Sequence, residues 1–222
     1  MRHPEWRKER QPEIIDKLKA RYGDFIDLTR YEERDLALEL KGALVTDWDN
    51  GKIYCSLSWR ADLEVFNYLI SELNLIAKKQ GSTRQLWGVT FQSADAKGDP
   101  IYHTDVMMTL LSKHAVVCLD AVTTPEDRAR LVEEITSPEL NIEPHEILEL
   151  SLQESGNMCS NMFDIMDKGN NHCIVMSERA EAAFQDSNLK TLKENYKVIV
   201  SDLDIIETIG GGSSRCLLVE LF

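Results

Sequence analysis

The sequence predicts an α/β (α+β) protein built from mixed β-sheets with helices on their outer faces. Segments with the alternating period of strands and segments with the longer period of helices follow one another along the 222 residues. The order strand, strand, helix, strand recurs three times at a spacing of roughly fifty to seventy residues, which is typical of a repeat architecture. Because no linker rich in Gly, Ser or Pro divides the chain, we expect a single domain over 1–222.

The first repeat follows a charged amphipathic helix at 6–22, whose apolar positions include Ile14 and Leu18. Its first two strands flank the sequence Asp-Trp-Asp-Asn-Gly, which indicates a hairpin turn. The helix that follows has its apolar side chains on one face, as expected for packing against a sheet. The predicted elements of this repeat are strands at 36–46 and 52–57, a helix at 62–79 and a short strand at 87–92.

The second repeat contains a helix whose start is marked by Thr124 as N-cap and by Pro125 as the first helical residue. The third contains a helix preceded by Ser177, another residue type that favours N-caps. The second repeat is predicted to have strands at 102–111, 115–119 and 147–150 and a helix at 124–137. The third is predicted to have strands within 156–165, at 173–176 and at 197–201, and a helix at 177–195. We expect residues 205–222 to begin a fourth repeat.

The composition excludes several classes of partner. The net charge of −13 and the isoelectric point near 4.9 repel phosphate groups, so we expect no nucleic-acid partner and no polybasic attachment to membranes. A cationic small molecule suits this field better. No apolar stretch approaches the length of about eighteen residues that a membrane-spanning helix needs.

Cysteine usage indicates a reducing compartment. The five cysteines are an odd number without the spacing of a disulfide framework. The first residues lack the apolar core of a secretory signal. We therefore predict a cytoplasmic protein.

Cys216 follows a glycine-rich turn at 210–212 and precedes an apolar stretch that we predict to be a strand. Consecutive glycines allow a sharp bend that can aim the next side chain into a cavity. Arg215 can help to hold the sulfur as the reactive thiolate. The alternative is an ordinary turn before an inert core thiol, which is the commoner situation for a free cysteine.

His103 and Asp105 lie two residues apart in a predicted strand, so both should point to the same face. His103 can act as a general acid and base, and Asp105 can bind a cationic group. A core histidine beside a solvated aspartate is the alternative. The sequence contains no further ligand cluster with the spacing of a metal site, so no metal is expected.

Glu39 lies within the apolar run 36–45. A buried carboxylate is unfavourable unless it is paired, so Glu39 needs a partner such as His103 if it faces the core. If it faces solvent instead, it is an ordinary surface charge.

Four segments together resemble the amidinotransferase and arginine deiminase superfamily, and most closely its citrulline-forming, dimethylarginine-hydrolase-like branch. They follow one another in the expected order across most of the chain, and the last is the most specific. The segments are YHTDVMM at 102–108, GNMCSNM at 156–162, VMSERA at 175–180 and IETIGGGSSRC at 206–216.

The resemblance implies the pentein fold, a fan of ββαβ modules around a central active site, with no cofactor. It also implies that Cys216 attacks the guanidinium carbon of a small cationic substrate and that His103 transfers protons. Glu39 would orient His103 or bind the guanidinium, and Asp105 would bind guanidinium nitrogens by paired hydrogen bonds. Arg60 and Arg215 are the further candidates for substrate binding.

Two departures from the family pattern lead to further expectations. The family carries additional N-terminal sequence, so we expect the chain to lack roughly the first one to two modules, leaving an incomplete pocket and an open sheet edge. A homodimer is one way to cover that edge. The bulky pair Leu40-Lys41 follows the glutamate where the family has small residues, and we expect it to displace Glu39.

Two functions therefore remain open at this point. One is a cysteine hydrolase of arginine or a methylated arginine, with transfer of the amidino group to an amine as a close variant. The other is an inactive or truncated family member that binds a guanidino ligand or a partner protein.

Overall fold

The computed structural model describes residues 1–137 and 144–219. In these ranges, three mixed sheets of three strands each are covered by helices. The strands are β1 Val45–Asp47, β2 Lys52–Ser56, β3 Trp87–Phe91, β4 Met108–Leu110, β5 His114–Val117, β6 Glu146–Glu149, β7 Phe163–Met166, β8 His172–Ser177 and β9 Lys197–Ser201. The α-helices are α1 Pro12–Tyr22, α2 Leu40–Ala43, α3 Leu63–Lys79, α4 Pro125–Thr136, α5 Leu152–Gly156, α6 Glu178–Ala183, α7 Asp186–Asn195 and α8 Ser214–Leu217. Short 3-10 segments lie at Pro4–Glu9, Thr29–Arg34, Thr104–Val106 and Leu119–Ala121, and a π-helical turn lies at Ile206–Gly210.

The three sheets share one topology, which confirms the predicted repeat. In each, the first two strands are antiparallel and the third is parallel to the second. A parallel pair requires a crossover connection, and a helix supplies it in each sheet. The mixed α/β class predicted from the sequence is therefore correct.

The helices at the centre of the first two repeats match their predictions closely. Helix α3 buries Val65, Phe66 and Leu69, and Phe66 lies so close to Gly88 that a Cβ there would be 2.5 Å from the ring. The side chain of Thr124 accepts a hydrogen bond from the backbone N–H of Asp127 and so caps α4. In the described part of the chain, no helix combines the length and the apolar character needed to cross a membrane.

Buried polar contacts fix the modules against one another. The buried Lys52 on β2 donates from Nζ to the backbone oxygens of Glu134 (2.6 Å) and Ser137 (2.9 Å), at the end of α4. Between the second and third sheets, Nδ1 of the buried His114 lies 2.8 Å from the hydroxyl of Tyr196. Charged and polar side chains thus fix the relative position of the modules that surround the site.

The predicted strands 36–46 and 102–111 are too long. In the first, only the end is a strand, because residues 40–43 form the helical turn α2; in the second, residues 104–106 form a 3-10 turn. The buried Thr104 joins the 3-10 turn to α2 and to β2. Its hydroxyl donates to the backbone oxygen of Ala43 (2.5 Å) and accepts from the backbone N–H of Ser56 (2.7 Å). These bonds replace sheet pairing with side-chain contacts.

Two long helices predicted from the sequence are interrupted. The segment 6–22 divides into a 3-10 segment and α1, because Pro12 forces the residue before it into an extended conformation. The segment 177–195 divides into α6 and α7, where the N–H of Gln185 donates to the buried carboxylate of Glu154 (2.9 Å). The predicted fourth repeat begins with the π-helical turn and α8, so Cys216 lies in a helical turn and not directly before a strand. Residues 220–222 of that prediction lie outside the described residues.

Candidate active site

A cavity of about 750 Å³ lies where α2, the turn at 104–106 and the segment before α8 meet. Five of the six predicted site residues line it: Cys216, His103, Glu39, Asp105 and Arg60. Another part of the wall comes from the N-terminal segment, including Trp6, Ile15 and Phe25. Within the described ranges, no three His, Cys, Asp or Glu side chains are grouped as metal ligands.

Glu39 and His103 form a pair inside the cavity. The structure corrects the strand predicted for Glu39, since this residue immediately precedes α2. Nε2 of His103 lies 3.2 Å from Oε2 of Glu39. Burial raises the pKa of Glu39, but the bond to His103 and the charge of Arg60 outweigh it and lower the pKa below its usual value. The carboxylate is therefore ionised and fixes one ring nitrogen of His103.

The expected displacement of Glu39 by Leu40-Lys41 is not observed. The side chain of Leu40 is exposed at the surface. Lys41 extends toward the other side of the cavity, where Nζ donates to the backbone oxygen of Cys216 (2.8 Å). Gly42 is the residue of this turn that must be small, because a Cβ there would lie 2.4 Å from Nδ1 of His103. The turn thus packs directly on the imidazole.

Asp105 is the most strongly buried charged group of the site. Its side chain is fully buried, and Oδ2 lies 3.8 Å from Sγ of Cys216. Among the described residues, Oδ1 has no hydrogen-bond partner. Burial raises the pKa of Asp105 to about 6, although the positive charges of His103 and Arg215 oppose the rise. A buried carboxylate with an unsatisfied oxygen is suited to bind a cationic donor that enters the cavity.

Cys216 is presented at an exposed position of α8. The chain turns at Gly211, whose φ is +73°, and passes close to the cysteine at Gly212, where a Cβ would lie 3.2 Å from Sγ. The partial burial of the sulfur and the charge of Asp105 raise the pKa of the Cys216 thiol. A nearby cation is therefore needed to favour the thiolate.

Asn161 was not identified as a site residue from the sequence. Its Nδ2 lies 3.3 Å from Sγ of Cys216 and 3.3 Å from the backbone oxygen of Asp105. Its Oδ1 accepts from the N–H of Cys216 at 3.4 Å. One amide thus connects two predicted site residues. Its presence in the segment 156–162 was the available signal, but the sequence did not indicate its contacts.

Arg60 and Arg215 occupy different environments. The guanidinium of Arg60 lies 4.1–4.5 Å from the ring centroids of Trp6, Trp59 and Tyr102, and its NH1 is 3.4 Å from Oε2 of Glu39. Cation–π contacts with three rings hold this side chain in place, so it supports Glu39.

Arg215 is directed elsewhere. Its guanidinium lies 5.7 Å from the ring centroid of Phe163. In the described chain it does not form part of the cavity wall, and its role in substrate binding stays a prediction. It acts on the site through its charge, which lowers the pKa of Asp105.

The raised pKa of Asp105 predicts how pH affects stability. Its usual value is 3.8, so between about pH 4 and pH 6 the folded chain binds a proton that the unfolded chain has released. The contribution of Asp105 to the free energy of unfolding is therefore highest below pH 4 and falls as the pH rises through 6. Between pH values below 4 and above 6, this contribution to the free energy of unfolding changes by roughly 3 kcal/mol, because the pKa is shifted by about two units.

We therefore expect Asp105→Asn to stabilise the empty protein at pH 8 by roughly 1–3 kcal/mol relative to the parent chain, with little gain at pH 4. Urea unfolding of both proteins at the two pH values measures this. The exposed Asp16→Asn should show no such pH-dependent gain. Equal stabilities of the Asp105→Asn and parent proteins at pH 8 would mean that Asp105 carries no burial penalty.

No curated protein matches this sequence. Solved structures do match. The apo structure of ArgZ, an arginine dihydrolase of the cyanobacterial ornithine-ammonia cycle, is 20% identical, with a TM-score of 0.57 over 83% of this chain and 25% of that one. AgrE in a binary complex with L-arginine is 16% identical, with a TM-score of 0.59 over 83% of this chain and 23% of that one.

SxtG, an amidinotransferase from Microseira wollei in the saxitoxin biosynthetic pathway, is 13% identical, with a TM-score of 0.51 over 79% of this chain and 42% of that one. The chain thus spans about a quarter of the length of ArgZ (25%) and AgrE (23%). These likenesses establish the fold of the pentein superfamily, as the sequence predicted. The model of one family, described as N,N dimethylarginine dimethylhydrolase, eukaryotic, matches residues 1–222, and the chain belongs to that family.

Proposed function

We propose that the chain is a cysteine-dependent hydrolase that cleaves a C–N bond of a guanidino group in arginine or a methylated arginine. The products are citrulline and either ammonia or an amine. One observation carries the proposal: Cys216, His103, Glu39 and Asp105 line one cavity, with a buried carboxylate beside the sulfur. Membership of the dimethylarginine dimethylhydrolase family supports the choice of reaction. The proposed unit is a single catalytic domain.

Asp105 binds the substrate cation in this proposal. A guanidinium group presents parallel N–H donors to a carboxylate, and such bidentate pairs are short and strongly oriented. The ion pair restores a partner to a carboxylate whose burial otherwise raises its pKa to about 6. Because Oδ2 of Asp105 lies 3.8 Å from Sγ of Cys216, a guanidinium bound there has its carbon next to the nucleophile.

The first half of the reaction forms a covalent intermediate. The thiolate of Cys216 attacks the central guanidinium carbon, and a C–S bond forms as the carbon becomes tetrahedral. The C–N bond to the departing group then breaks, while His103 donates a proton to that nitrogen. Ammonia or an amine leaves, and the rest of the substrate remains bonded to the cysteine sulfur through its amidino carbon.

Water completes the reaction. His103, now neutral, accepts a proton from a water molecule whose oxygen attacks the amidino carbon. The C–S bond breaks, the thiolate of Cys216 is regenerated and citrulline is released. Glu39 holds the imidazole through Nε2 in both halves and stabilises its protonated form.

The five cysteines are unpaired, and all of them lie in the described ranges. A nucleophilic thiolate remains active in a reducing compartment, which supports a cytoplasmic enzyme.

The direct test is to incubate the purified chain with arginine, monomethylarginine and asymmetric dimethylarginine and to measure citrulline and released amine. Citrulline with a stoichiometric amount of ammonia or amine supports hydrolysis. Amidino transfer would instead require an added amine acceptor and would give a new guanidino compound without citrulline. A folded chain that binds arginine in calorimetry but forms neither product would contradict an enzymatic function.

A further inference from the structure

Lys41 connects α2 to the nucleophile across the cavity. It lies two residues after Glu39, and its Nζ donates to the backbone oxygen of Cys216 at 2.8 Å, although 175 positions separate the two residues in sequence. Its side chain is half-buried and forms part of the cavity wall. A lysine placed there supports the cysteine turn and also adds a positive charge to a cavity proposed to bind a cation.

The groups around the sulfur show why this charge matters. Asp105 lies 3.8 Å from Sγ and opposes ionisation of the thiol. Asn161 donates a hydrogen bond to the sulfur but is neutral. His103 lines the same cavity. The neighbouring Arg215, which the sequence suggested as the partner of the thiolate, lies with its guanidinium near Phe163.

The electrostatic effects around Lys41 agree with this geometry. Burial lowers the pKa of Lys41, while the negative groups Cys216 and Asp105 oppose that decrease. In the opposite direction, the charge of Lys41 lowers the pKa of both Cys216 and Asp105. The ammonium group therefore interacts with two anionic groups at once, and a half-buried position makes such interactions stronger than at a surface.

We propose that Lys41 is a positioning residue that holds the Cys216 turn in place and favours the thiolate form of the sulfur beside the buried Asp105 before substrate enters. The role in catalysis rests on the proposed function, whereas the effect on the thiol does not. Lys41 also repels an incoming guanidinium, because both groups are cationic. The chain thus has a more reactive nucleophile at the expense of weaker substrate binding.

Alkylation of Cys216 by iodoacetamide measures the thiolate without any substrate. The thiolate forms a C–S bond as iodide leaves, and peptide mass spectrometry separates this site from the four buried cysteines. We expect Lys41→Met to slow alkylation about tenfold at pH 7.5 and to move the rate profile upward by about one pH unit. Lys41→Arg should restore the rate to within about threefold of the parent.

The exposed Lys97→Met, on the loop before Ile101, is the matched control and should leave the profile unchanged. The proposal is wrong if Lys41→Met and the parent show the same alkylation rate at every pH. So would equal slowing in Lys41→Met and Lys41→Arg, since loss of charge would then not be the cause. If Lys41→Met does not fold, Lys41→Gln replaces it under the same criteria.

Steady-state kinetics provide the second readout where the chain is active. Lys41→Met should lower kcat and also lower KM, because loss of the resident cation weakens the nucleophile but removes repulsion of the substrate. A purely structural role predicts lower kcat with unchanged or higher KM. A chain without citrulline formation would contradict the proposed function, while the alkylation profile would still decide the role of Lys41.

Discussion

Cys216→Ser should lower citrulline formation by a factor on the order of 10³ to 10⁶, with the fold intact. A serine hydroxyl occupies nearly the same space as the thiol, and Nδ2 of Asn161, 3.3 Å from the sulfur, can donate to either atom. The hydroxyl does not ionise near neutral pH, however, and the neighbouring Asp105 disfavours an anion further. Cys216→Ser therefore loses activity because its side chain is a weaker nucleophile, while the shape of the site is unchanged.

Single-turnover assays with arginine, quenched in acid, measure both the rate and the intermediate. The parent protein should gain the mass of arginine less ammonia, which is the intermediate that water converts to citrulline, and Cys216→Ser should not. Cys173→Ser is the matched control, because Cys173 lies on β8 away from the cavity and is buried. Parent-level turnover by Cys216→Ser, or the same covalent adduct found on another residue, would exclude Cys216 as the nucleophile.

The repeat could be predicted from the sequence because local signals mark it. The antiparallel β1–β2 hairpin follows from its turn sequence, and α4 follows from Thr124 and its proline. These signals depend on neighbouring residues alone, so they are readable without a structure. The order of strand and helix patterns recurs three times, which explains why the module order was correct even where element boundaries were not.

The sequence indicated five residues that line the cavity, but it did not predict the backbone conformation around them. Glu39, His103 and Asp105 were all assigned to strands, yet each lies at or beside a helical turn. The buried hydroxyl of Thr104, which bonds to both Ala43 and Ser56, links the two turns to each other. These contacts join residues 48 and 61 positions apart in the sequence. They produce no periodic pattern of residue types, so they could not be predicted from the sequence.

The environments of Asn161 and of the two arginines also could not be predicted, because they depend on contacts between residues that are far apart in the sequence. Arg60 and Arg215 have the same chemistry, and only the structure separates one held by three aromatic rings from one facing Phe163. Asn161 contacts a residue 55 positions away. Sequence patterns therefore indicated the residues that are proposed to react, whereas the contacts that orient them became evident from packing.

His103→Gln should lower kcat by about 10² to 10⁴ with a smaller change in KM. Glutamine can still donate a hydrogen bond toward Glu39, which lies 3.2 Å from Nε2 in the parent chain. It cannot give a proton to the departing nitrogen or accept one from water. Gly42, which packs on the imidazole, leaves room for the shorter side chain. The substitution therefore removes proton transfer while the cavity keeps its shape.

A change of leaving group separates proton transfer from a structural effect. If His103 protonates the departing nitrogen, a guanidino substrate with a weakly basic leaving amine needs less assistance and should lose less activity in His103→Gln. A purely structural role predicts the same loss for every leaving group. His172→Gln is the matched control, because His172 pairs with Asp164 at 3.0 Å on β8 and β7. Equal losses across the substrate series would exclude His103 as the general acid, and the proposed proton path through the Glu39–His103 pair would then be wrong.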